Sequence, residues 1–170
     1  MGSDIKNHGT MRAKTPGESQ VEMTELVIPN DTNLLGNLLG GKLMHWIDIA
    51  GAMAAARHSN KTVATVALDS LDFRHPIHMG ELIILKAKLT WAGKTSMEVT
   101  VNAFGENTKT GAVTQTNKAY LTFVALDENG RPTAVPMLIP ETEEEKKDFL
   151  EAEVRREERL KRRNKEKAEK

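Results

Sequence analysis

The stretch Gly36-Asn37-Leu38-Leu39-Gly40-Gly41-Lys42-Leu43-Met44-His45-Trp46-Ile47-Asp48-Ile49-Ala50-Gly51-Ala52-Met53-Ala54-Ala55-Ala56-Arg57-His58 sets the architecture. Behind the glycine pair, residues 42–58 have helix length and good helix formers, with no proline and Gly51 as the one internal glycine. On a helical wheel Leu43, Trp46, Ile47, Ala50, Met53 and Ala54 fall on one side, and Gly41, His45, Asp48, Ala52 and Ala55 on the other. One side is bulky and the other small. Almost nothing between Leu43 and Ala56 suits open water, so the pattern predicts a helix covered on most sides.

Working outward, residues 21–28 begin with strand-like alternation and stop at Pro29, which predicts a first strand followed by a loop over 29–33. After the helix, residues 62–73, 82–91, 96–104 and 114–126 alternate with period two. Turn residues separate them at 75–80, 92–94 and 105–111, and Asp127-Glu128-Asn129-Gly130 closes the last strand. The order predicts an α+β fold, a mainly antiparallel sheet curled around one helix.

With 170 residues the chain has the length of one ordinary domain. Its 24 basic and 24 acidic residues cancel, which speaks against nucleic acid as a partner. Cysteine is absent, so disulfides, thiolate metal sites and cysteine nucleophiles are excluded. No apolar run has membrane-spanning length and no signal segment precedes the domain, so a soluble, cytoplasmic protein with no membrane partner is expected. Residues 1–20 read as a disordered leader and 21–140 as the core domain. Residues 141–170, which hold 11 charges of each sign, read as a charged C-terminal helix. Thr142 and Glu145 have capping-box spacing, and Glu143 with Lys147, Glu151 with Arg155, and Glu158 with Arg162 are i,i+4 pairs. Phe149, Leu150, Val154 and Leu160 are the apolar residues available to dock this helix. Its basic end around 155–167 has two readings, a surface for phosphates or a solvated face; the balanced charge favours the second.

Asp48 is the most informative residue, because a carboxylate on a covered helix is costly unless it is paired or useful. His45, one turn back, is the plain partner, and a satisfied core polar group is the plain role. Ahead of Asp48, Gly40 and Gly41 at the helix start offer free N–H groups where negative charge is stabilised, and Asn37 offers an amide. Together they resemble an oxyanion site beside a carboxylate, suited to hydrolysis of an activated acyl group. A glycine-rich turn that merely admits a helix to a sheet fits the same composition.

From about Val27 to about Lys147 the sequence resembles the hot-dog acyl-CoA thioesterases, in the branch of cytosolic long-chain acyl-CoA hydrolases. The resemblance is carried by Pro29-Asn30-Asp31-Thr32-Asn33, Gly36 to Gly41, Trp46-Ile47-Asp48, Arg57-His58, Val66-Ala67-Leu68-Asp69, Phe73, Thr122-Phe123-Val124, Val135-Pro136 and the run from Pro140 to Lys147. It implies a hot-dog fold, a sheet wrapped around a central helix, with two units side by side and active sites at their interface. It implies that Asp48 acts as general base or nucleophile and that Asn37, from the partner subunit, positions water or the thioester. A homodimer, or a trimer of such dimers, would build equivalent sites. The implied activity is hydrolysis of fatty acyl-CoA to free fatty acid and CoA, a step of fatty acid metabolism. It needs no metal and no cofactor beyond the CoA that is part of substrate and product.

CoA phosphates need cations, for which Arg57, His58, Lys61, Arg74, His75, Lys94 and Lys118 are candidates. Lys94 and Ser96 are carried as substrate-binding residues because their turn could meet the ligand. Two other readings compete: a hot-dog dehydratase acting on a 3-hydroxyacyl thioester, with His45 as its base, and a non-enzymatic acyl-CoA sensor. The run from Gly36 to Asp48 matches the hydrolase branch better than the first. The second wants a DNA-binding segment, for which the leader is too short.

Overall fold

The computed structural model describes residues 11–71 and 73–169. Its elements are β1 (Val21–Leu26), α1 (Gly40–Ser59), β2 (Thr62–Leu71), β3 (Leu82–Ala92), β4 (Ser96–Glu106), β5 (Val113–Leu126) and α2 (Glu143–Ala168), with short 3-10 turns at Pro16–Glu18 and Pro29–Asp31. The five strands form one antiparallel sheet in the order β1-β3-β4-β5-β2. The expected hot-dog architecture is present, with strand ends shifted by one or two residues. No helix among the described residues is long and apolar enough to cross a membrane.

Alternation in the strands builds the core. Ile83, Leu85 and Leu89 of β3, Met97, Val99 and Val101 of β4, and Leu121 and Phe123 of β5 are buried together. Trp46, Ile47, Ala50 and Ala54 of α1 belong to the same core. Each such Leu, Ile or Phe contributes about 1.5–3 kcal/mol on burial. Gly51 admits the Phe123 ring, since a Cβ there would sit 3.1 Å from its Cε2 and Cζ.

Three expectations need correction. The helix α1 is covered by the sheet on one side only: Met44, His45 and Met53 are exposed, whereas Ala55 and Gly51 are buried. Part of the presumed leader is integral to the fold, although residues 1–10 lie outside the described residues. Lys14 N donates to the Met137 carbonyl at 3.0 Å and Ile139 N to the Lys14 carbonyl at 2.9 Å. Lys14 Nζ reaches the Arg57 carbonyl at 3.0 Å and Asn60 Oδ1 at 2.7 Å, and Pro16 and Ser19 are buried. Backbone pairing needs no apolar side chain, so a segment of low apolar content can be part of the fold.

Helix α2 also docks differently. The capping box forms, with Glu145 N donating to Thr142 Oγ1 at 3.1 Å and Thr142 N to Glu145 Oε2 at 3.2 Å. Leu150 and Val154, expected to dock the helix, are exposed, while Ala152 is buried and Phe149 packs against the core. Ion pairs carry the docking. Arg155 leaves Glu151 for Glu98, a fully buried carboxylate on β4, at 2.8 Å. Arg159 pairs with Asp69 and with Glu98, and Lys88 with Glu145 at 2.6 Å. A covered glutamate on the outer face of the sheet requires such partners.

Candidate active site

Asp48 projects from the middle of α1 and is half-buried. Thr65, on β2, donates its hydroxyl to Asp48 Oδ1 at 2.6 Å. The plain pairing with His45 is therefore replaced by a cross-element bond; the His45 ring is exposed. One carboxylate oxygen is oriented by Thr65, and among the described residues Oδ2 has no hydrogen-bond partner.

The loop before α1 is shaped by two asparagines. Asn33 Oδ1 accepts from Leu35 N at 2.9 Å and Asn37 N at 3.1 Å, and Gly36 supplies the positive φ of 75° that the turn requires. Asn37 Oδ1 lies 2.7 Å from His78 Nδ1, which must donate, because a carbonyl oxygen only accepts. Glu81 Oε2 accepts from His78 N at 2.8 Å. Leu38 N to the Ile77 carbonyl, 2.7 Å, and Met79 N to the Gly36 carbonyl, 2.9 Å, pin the loop to the segment before β3. A cleft of about 230 Å³ opens here, lined by Asn37, Leu38, Leu43, Phe73, His75 and Ile77 among others.

Helix α1 starts at Gly40 without a side-chain cap at Leu39, so the first N–H groups, at Gly40 and Gly41, have no acceptor inside the helix. A Cβ on Gly40 would lie 3.1 Å from Phe73 Cζ, whereas Gly41 faces open space. Asp31, buried beside this terminus, pairs with Lys42 at 3.3 Å.

The cation candidates separate. His58 is fully buried, its Nε2 2.9 Å from the Pro136 carbonyl, and burial pushes its imidazole below the ordinary histidine value. It is structural. Arg57 donates to the Gln20 carbonyl at 2.6 Å and holds the N-terminal segment. Lys118 lies 5.2 Å from the Tyr120 ring. Lys94 is exposed on the turn between β3 and β4, and Ser96 lines a different cleft, beneath α2. Thr65 and His78 escaped the sequence reading, because no local spacing links them to Asp48 or Asn37.

The family model for the thioesterase superfamily matches residues 35–112. An uncharacterized acyl-CoA thioester hydrolase of Bacillus subtilis is 45% identical over 128 residues, covering 75% of this chain and 74% of that protein. The chain belongs to the thioesterase superfamily. Within that superfamily, the acyl-CoA hydrolase of Staphylococcus aureus, solved with butyryl-CoA, CoA and CoA disulfide, superposes with a TM-score of 0.85 at 36% identity, covering 92% of this chain and 95% of that one. A hexameric acyl-CoA thioesterase gives 0.86 at 41% identity, with coverage of 89% and 97%. The Staphylococcus aureus enzyme has also been solved as alanine variants of one aspartate, of an asparagine 15 residues before it and of a threonine 17 residues after it.

Proposed function

We propose that this chain is an acyl-CoA thioesterase that hydrolyses fatty acyl-CoA to free fatty acid and CoA. The observation that carries this reading is the bond from Thr65 of β2 to Asp48, on a helix whose N-terminal amides are open. Water held by Asp48 Oδ2 attacks the thioester carbonyl carbon and gives its proton to the carboxylate. The carbonyl oxygen, now negative, is stabilised by N–H groups at Gly40 and Gly41. Collapse breaks the carbon–sulfur bond, and the CoA thiolate leaves with the proton returned through Asp48. A thiolate leaves readily, so the step needs neither metal nor cofactor.

The amide that completes the site comes from the loop over 33–37 of a second copy. Support comes from Leu34 and Leu35, whose side chains protrude into solvent from that loop, and from β2, an edge strand with Val66 and Leu68 exposed. An unpaired apolar edge is a surface that proteins cover, and a hexameric relative is known. We assign a homodimer as the active unit and a trimer of dimers as the assembly. Asn33 lies 15 residues before Asp48 and Thr65 lies 17 after it, the spacing of the substituted residues in the Staphylococcus aureus enzyme. That spacing favours Asn33, with Oδ1 held by the loop and Nδ2 outward, as the reacting amide. Asn37, bonded to His78, holds the loop's shape.

Thiol release across acyl-CoA chain lengths tests the reading. Hydrolysis by the wild type with at least about a hundredfold loss in Asp48→Asn supports it; no thiol release from any acyl-CoA overturns it.

A further inference from the structure

The loop over residues 33–37 carries the amide assigned above to the partner's site, and its polar side chains lean on one another in a chain that ends at His78. Asn33 Oδ1 accepts from Leu35 N at 2.9 Å and from Asn37 N at 3.1 Å, which fixes the plane of the Asn33 amide and leaves Nδ2 outward. Asn37 is held in turn, its Oδ1 2.7 Å from His78 Nδ1. Packing contributes little to this arrangement. Asn33 and His78 are exposed and Asn37 is half-buried, while Leu34 and Leu35, the loop's apolar residues, face solvent. Hydrogen bonds therefore decide where the loop's amides point.

His78 is itself placed by the backbone. Its N–H donates to Glu81 Oε2 at 2.8 Å, it forms an isolated antiparallel bridge with Asn37, and the neighbouring bonds from Leu38 N to the Ile77 carbonyl and from Met79 N to the Gly36 carbonyl hold both sides of that bridge. These bonds fix the main chain at Asn37 and leave its side chain free to rotate; the imidazole sets it. A carbonyl oxygen only accepts, so Nδ1 carries the hydrogen in the neutral ring, and the imidazolium keeps the same N–H. Protonation of His78 therefore does not break the bond. By residue type His78 would be suspected as an acid or base, but the geometry gives it a donor's role.

We propose that His78 is a positioning residue for thioester hydrolysis: its Nδ1–H anchors Asn37, and Asn37 sets the Asn33 amide that a second copy receives beside Asp48. The proposal rests on the hydrolase reading above and on Asn33 as the reacting amide. Displacing a reacting group by about 1 Å can cost about a hundredfold in rate, so an anchor two residues removed from the chemistry matters to turnover.

Variants of the full chain test it by steady-state thiol release. His78→Ala removes the donor, His78→Asn keeps an N–H bonded to Cγ as Nδ1 is, and His78→Asp puts an acceptor oxygen in that place. His78→Ala is expected to lower kcat about tenfold with KM little changed and the unfolding midpoint unmoved. His78→Asp should be at least as poor, and His78→Asn should return to within about threefold of wild type, with the pH–rate profile keeping its shape throughout. Adding His78→Ala to Asn33→Ala should cost nothing more, because a residue that acts through another has no effect once that other is gone. An acid or base would give a different pattern, with His78→Asn as poor as His78→Ala and one limb of the profile lost. That pattern, additive losses in the combined variant, or His78→Asp as active as wild type overturns the proposal. Thiol release by the wild type that is lost in Asn33→Ala but kept in full by His78→Ala overturns the anchor alone. No thiol release by the wild type overturns the hydrolase reading. Amide exchange at Leu35 and Asn37, the donors to Asn33 Oδ1, then still judges the anchor without substrate: it should quicken in His78→Ala and slow again in His78→Asn, and unchanged rates overturn it.

Discussion

Asp48→Asn keeps the size of the side chain and removes the basic oxygen, so turnover should fall at least about a hundredfold while the unfolding midpoint stays unchanged. Thr65→Val loses the 2.6 Å bond that orients the same carboxylate. Its expected effect is a smaller drop, confined to kcat, which steady-state kinetics on both variants would separate. Gly51→Ala places a methyl 3.1 Å from the Phe123 ring, and overpacking of this kind costs about 1–3 kcal/mol; denaturant unfolding measures it. His58 titrates in the opposite sense to a paired histidine. Its folded-state pKa is lowered by burial, so the unfolded chain takes up the proton first and stability falls as pH drops through the ordinary histidine range. Thermal midpoints followed from neutral to mildly acidic pH should show that slope, and His58→Gln should flatten it.

At the scale of elements, the N-terminal segment and α2 are the parts whose attachment differs from their sequence appearance. Deleting residues 1–20 removes the pairing of Lys14 with Met137 and Ile139 and the Arg57 contact with Gln20. The truncated chain should melt several degrees lower, as a loss of about 1–2 kcal/mol implies for a chain of this size; an unchanged midpoint would show the segment to be dispensable. Helix α2 is held through Glu98. Glu98→Ala leaves Arg155 facing a covered sheet without its carboxylate and Arg159 with Asp69 alone, and breaking such a pair costs roughly 3 kcal/mol. Loss of α2 protection in hydrogen exchange before that of β4 would locate the effect at the docking contact.

At the scale of the whole molecule, the open side of α1, the protruding Leu34 and Leu35 and the edge strand β2 lie on surfaces that a second copy is proposed to cover. If Asn33 serves the partner's carboxylate, Asn33→Ala and Asp48→Ala homodimers are both poor enzymes. A mixed dimer then contains one site with both defects and one with neither, as two-fold symmetry requires. Refolding the two variants together should restore activity toward half of wild type per mixed dimer. Mixed dimers as inactive as their parents, with exchange confirmed by mass, would place both groups in one subunit.

The helix over residues 42–58 and the four strands after it are legible in the amino-acid sequence, because helix period, strand alternation and turn residues are properties of near neighbours along the chain. The same local chemistry marks Asp48, the glycine pair and the capping box at Thr142. Partners are not legible. Thr65 stands 17 residues from Asp48, His78 41 from Asn37, and Arg155 57 from Glu98. Strand register and helix docking bring those pairs together, and neither is written in local spacing. Tertiary packing alone also decides that balanced charge along α2 is unbalanced in space: the helix turns its arginines toward one cleft, and a net charge summed along the sequence carries no direction.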